Sequence, residues 1–121
     1  MKTILLAAAL AAPSLPAIAE DDLSQFSFVQ PTLTIEEDPT SSIPIRVESL
    51  MTVANNGTET SGPIKLLCVL YNRDDASVGT LIGNFYGIKP GKDGVDRAMS
   101  YPAHKPVTVE CEIRQGKSPN D

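Results

Sequence analysis

Two cysteines, one histidine and a few groups of acids are the residues of this chain whose types could do chemistry. Paired cysteines can form a disulfide or bind metal, and grouped carboxylates can hold calcium or act as an acid–base pair. Cys68 and Cys111 stand 43 positions apart. They lack the Cys-x-x-Cys spacing of thiol oxidoreductases, and one histidine beside two cysteines is a poor zinc set. An even pair far apart in sequence reads as a structural disulfide, provided the chain reaches an oxidising compartment.

His104 lies in the proline-framed stretch Tyr101-Pro102-Ala103-His104-Lys105-Pro106. No Gly-x-Ser-x-Gly elbow, His-Glu-x-x-His helix or P-loop accompanies it. A solvated loop histidine is therefore expected; a small hydrolase built on it needs Tyr101 and a carboxylate in the same pocket. The acids Glu36, Glu37 and Asp38 are consecutive, Asp74 and Asp75 adjacent, and Asp93 precedes Asp96. None fits the calcium-loop pattern. On a strand the first three splay to opposite faces, and in a loop they converge on a cation. Solvated turn acids are the plain expectation, and Glu36, Glu37, Asp38, Asp74 and Asp75 are carried forward as candidate binding-loop residues. No catalytic set, cofactor or metal is expected.

The compartment follows from the first residues. Lys2 supplies a positive start, Ile4 to Ala12 an apolar stretch, and Ala17-Ile18-Ala19 a small-x-small cleavage site, so residues 1–19 read as a secretory signal cut before Glu20. The apolar stretch is interrupted by Pro13 and Pro16 and is too short to span a bilayer, and no membrane span is expected. What remains is one domain of about a hundred residues, destined for the periplasm or the medium. Closing the Cys68–Cys111 loop there stabilises the domain by about 4 kcal/mol.

The net charge is −5 and the aromatic complement is three Phe, three Tyr and no Trp, which disfavours nucleic acid as a partner. Eight acids and one base, Arg46, fall between residues 20 and 60. That concentration can steer a basic partner, although solubility alone accounts for it.

The elements that must position these groups are strands. Ile43 to Val53 alternates with apolar residues at odd positions, and Val107-Thr108-Val109-Glu110-Cys111-Glu112-Ile113 alternates without a fault, placing Cys111 inward. Ile64 to Tyr71 is apolar nearly throughout and suits a central strand covered on much of both faces, with Cys68 beside Ile64, Leu66 and Leu70. Further strands are expected at Gln25–Ile35, broken or bent by Pro31, at Gly79–Ile88 and around Val95–Tyr101. Asn55-Asn56-Gly57, Ser61-Gly62-Pro63, Asn72 to Asp75 and Lys89 to Gly94 are turns. Tyr71, Phe85, Tyr86 and Tyr101 are expected to pack in the core or across hairpins. An all-β antiparallel sandwich of six to seven strands over 26–113 results, with a flexible acidic arm at 20–25, a linker-like piece at 36–42 and a polar tail at 114–121.

Val53-Ala54-Asn55-Asn56-Gly57, the strand ending Leu70-Tyr71-Asn72, Val78-Gly79, Lys89-Pro90-Gly91 and Val109-Glu110-Cys111-Glu112-Ile113 occur in an order that resembles the FxLYD-type family of small exported domains. Asn72 stands at the place of the motif's aspartate. The resemblance implies an immunoglobulin-like or fibronectin-III-like sandwich with Leu70, Tyr71 and Gly91 as structural positions, and it implies no catalytic activity. The function expected is an exported, non-enzymatic binding module that meets another exported or cell-surface protein. A carbohydrate- or metal-binding accessory domain is the alternative.

Overall fold

The computed structural model describes residues 23–117, in which the chain forms seven strands and no helix. They are β1 (Phe26–Phe28), β2 (Thr34–Glu37), β3 (Ile45–Asn55), β4 (Ile64–Tyr71), β5 (Ser77–Phe85), β6 (Asp93–Ser100) and β7 (Thr108–Gln115). Antiparallel pairing gathers them into two sheets, β1, β2 and β6 around β3, and β5-β4-β7. The architecture is the expected immunoglobulin-like β-sandwich. The signal reading of 1–19, the first residues of the acidic arm and the end of the tail lie outside the described residues.

Alternation builds the core. Along β3 every odd residue is buried, from Ile45 to Asn55. Along β4 the even residues Ile64, Leu66, Cys68 and Leu70 are buried. These two inner faces meet Leu81 and Phe85 of β5, Ala98 of β6 and Ile88 from the connection after β5. The outer face of β4 departs from expectation: Lys65, Leu67, Val69 and Tyr71 are only half-buried, because no third layer among the described residues covers it.

The disulfide is present between Cys68 and Cys111, which sit directly opposite one another in the β4–β7 ladder. The bridge thus lies within one sheet, whereas the antibody-type bridge crosses from sheet to sheet. Cys68 is fully buried and Cys111 half-buried, since β7 is an edge strand.

Several boundaries move. The expected first strand divides into β1 and β2 around Pro31, and β1 and β2 pair with opposite ends of β3. Glu36 and Glu37 belong to β2 and not to a linker; Arg114 and Gln115 belong to β7 and not to a tail. Leu23 packs against the core and Gln25 donates to Asn55 Oδ1 at 3.1 Å, so the end of the arm is tied down. Ile43 and Val107 fall outside their expected strands and are exposed.

Candidate functional site

The outer face of β3 carries Arg46, Glu48, Leu50 and Thr52, the residues its inward alternation leaves over. The β3–β6 register sets Thr52 opposite Val95, Leu50 opposite Arg97 and Glu48 opposite Met99. This face therefore holds an apolar strip: Leu50 is 60% exposed, Val95 58%, Met99 43%, and Tyr101, just beyond β6, 55%. Tyr101 donates its hydroxyl to Met99 Sδ at 3.0 Å. Large exposed apolar residues gathered on one face are a usual mark of an interaction site, and here they alternate with Glu48 and Arg97 across the two strands.

The charged residues of this face form a chain of ion pairs. Arg46 Nη2 lies 2.8 Å from Glu36 Oε1 and 3.8 Å from Glu48 Oε1, and Glu48 Oε2 lies 3.2 Å from Arg97 Nε. Each exposed pair is worth at most about 1 kcal/mol, so the network orients side chains more than it stabilises the fold.

The candidate acids meet this surface at one end of the sandwich. Glu36, Glu37 and Asp38 line a depression of about 350 Å³ with Ile43, Pro44, Arg46 and Tyr101. They do not converge on a common point: Glu36 turns to Arg46, Glu37 Oε2 to Lys105 Nζ at 3.2 Å, and Asp38 to its own loop. Thr40 donates to Asp38 Oδ1 through its hydroxyl at 2.7 Å and its backbone N–H at 3.1 Å. Those two hydrogen bonds, the hydroxyl's first, hold the Asp38 carboxyl below its ordinary pKa. Among the described residues no group of three His, Cys, Asp or Glu could hold a metal ion.

Asp74 and Asp75 occupy the β4–β5 turn, which Asn72 organises. The Asn72 Oδ1 accepts the N–H groups of Asp74 at 2.9 Å and Ala76 at 3.0 Å. Asp75 takes the left-handed conformation, φ 61°, that acids and amides tolerate. An aspartate carboxylate at position 72 would accept the same two bonds. His104 lines a second depression, about 490 Å³, with Asn72, Arg73, Asp74, Lys105 and Val107. It has no hydrogen-bond partner among the described residues, and Tyr101 lines the other depression. The pocket shared by His104, Tyr101 and a carboxylate that a hydrolase reading requires is not formed there.

Three residues escaped the sequence reading. Tyr86 and Tyr101, expected inside, are exposed at 61% and 55%. Asn55, read as part of a turn, ends β3 fully buried. Its Nδ2 donates to Glu59 O and Ile88 O, both at 2.8 Å, and its Oδ1 accepts from Gln25 Nε2 and Gly57 N. An alternation that ends on a polar residue in phase with the buried set was the available signal.

Comparison of the chain with protein-family models, with curated proteins and with solved structures finds no match.

Proposed function

We propose that this chain is an exported, non-enzymatic module of the FxLYD-like kind that binds another exported or cell-surface protein in the periplasm or the medium. The observation that supports the reading is the set of exposed Leu50, Val95, Met99 and Tyr101 on the outer β3–β6 face, interleaved with Glu48 and Arg97 and flanked by Arg46 and Glu36. Exposed apolar groups beside charges held in place by an ion-pair network suit a protein interface. The disulfide and the absence, among the described residues, of any helix long and apolar enough to cross a membrane are compatible with export.

A photo-crosslinking residue placed at position 50 in the exporting cell tests this directly, with one at Thr80 on the outer face of the other sheet as control. Expected are a mature chain beginning at Glu20 and a discrete protein adduct from position 50 only. An uncleaved chain retained inside the cell, or equal adducts from both positions, defeats the reading.

A further inference from the structure

We infer that the free edge of β7 captures an extended segment of a partner protein as an additional strand, one that alternates apolar residues with basic ones. Backbone accounting leads there first. Gly116 N–H bonds Pro63 O at 3.0 Å, which fixes the phase of the β4–β7 ladder. Alternation of bonded and non-bonded pairs then turns the N–H and C=O groups of Val109, Cys111 and Ile113 away from β4. Gln30 Nε2 reaches one of them, Val109 O, at 3.1 Å. No described strand pairs with this side of β7, where an immunoglobulin-type sheet carries a further strand.

The other long edges are guarded. On β5 the N–H of Asn84 is taken by Asp96 Oδ2 at 2.8 Å, and β6 packs along that flank. The β1–β2 edge is short and broken at Pro31. β7 offers eight residues without proline or bulge, and open strands of that kind are templates for strand addition.

Side chains define the occupant. The apolar residues only partly buried against the core include Phe26, Phe28, Leu33 and Ile35 on the β1–β2 side and Val109 and Ile113 on β7. An added strand brings its own inward apolar residues against Val109, Cys111 and Ile113, completing their burial. On the outer face the new strand meets Glu110, whose carboxylate has no ion-pair or hydrogen-bond partner among the described residues, and Glu112, whose carboxylate is paired only with Arg114 of its own strand. Opposite charges across strands attract and like charges repel, so Lys or Arg is selected at those positions and Glu or Asp rejected. Self-pairing of two copies of β7 about Cys111 is disfavoured by the same rule, since that register sets Glu110 against Glu112; the register about Glu112 sets Glu110 against Arg114 and is read out by amide protection in the peptide-free chain.

This inference rests on the binding-module reading only in naming an exported protein as the source of the strand. The test uses the oxidised, exported chain and a synthetic peptide of about ten residues in which valine alternates with lysine and threonine. Expected are slowed amide exchange at Val109, Cys111 and Ile113 on adding the peptide, and no slowing with a version N-methylated at alternate residues. Replacing the peptide's lysines by glutamate should weaken binding about tenfold, and the E110K/E112K variant should reverse that preference. The Leu50→Lys variant should bind the peptide unchanged, which separates this edge from the β3–β6 face. Equal effects from the N-methylated peptide, an unchanged charge preference in the double variant, or a dimer already protecting these amides without peptide would each overturn the inference.

Discussion

The two flanks of this sandwich are closed by different means, and one of them is barely closed at all. At the β5–β6 flank, strands from opposite sheets lean together. Gly83 and Gly94 leave room where a Cβ would come within 2.6 Å of Met51 Sδ or 2.8 Å of Ile88 Cδ1. The Asp96 carboxylate caps Asn84 of β5 and the neighbouring Arg97 N–H, and Asn55 ties the connection between β5 and β6 to the end of β3. At the opposite flank β7 faces β1 and β2 across half-buried apolar residues, with one side chain, Gln30, hydrogen-bonded across. The chain thus spends its polar side chains guarding one flank and holds the other with a disulfide one strand inward.

That contrast can be broken from either side. The largest effect is expected from the C68A/C111A variant, which should lose about 4 kcal/mol in urea unfolding. Amide exchange in β7 should rise before exchange in β5, and uniform acceleration across both would show that the bridge is not specific to the open flank. Next comes Asn55→Ala, which takes the Oδ1 acceptor from Gln25 Nε2 and Gly57 N–H and leaves Ile88 O with Ser61 N–H as its remaining donor; a loss of about 2 kcal/mol is expected, with exchange rising first at Gly57 and in residues 86–92. A change under about 0.5 kcal/mol would mean water replaces the amide. The smallest is Asp96→Ala, at about 1 kcal/mol, with faster exchange confined to Asn84 and Arg97. If β5 then gains affinity for the alternating peptide, the carboxylate is a guard as well as a cap.

How far the sequence discloses these flanks follows from the reach of each signal. Alternation marks the inward face of β3 as far as Val53 and the inward Cys111 of β7, because burial on one face imprints a period of two, whereas β4 is apolar nearly throughout. It is silent on whether an edge is covered, so the half-burial of Val109, Cys111 and Ile113 and the open outer face of β4 were not visible. Turn chemistry locates Asn55 and Asn72 without saying that one is buried in a hydrogen-bond hub while the other organises an exposed turn. The aromatics misled for a related reason: Tyr101 follows an alternating strand, but proline carries the chain off the sheet and leaves the ring on the outer surface. The acids were placed in one neighbourhood only by the fold, and their separate partners, Arg46, Lys105 and Thr40, lie in no local pattern with them.

The position of the disulfide bears on mechanical load. A segment zipped onto β7 and pulled along its length would shear against the whole strand. Tension reaching Cys111 would pass through a covalent link into the middle of β4, the strand flanked on both sides, so the host sheet should outlast the grip of its guest.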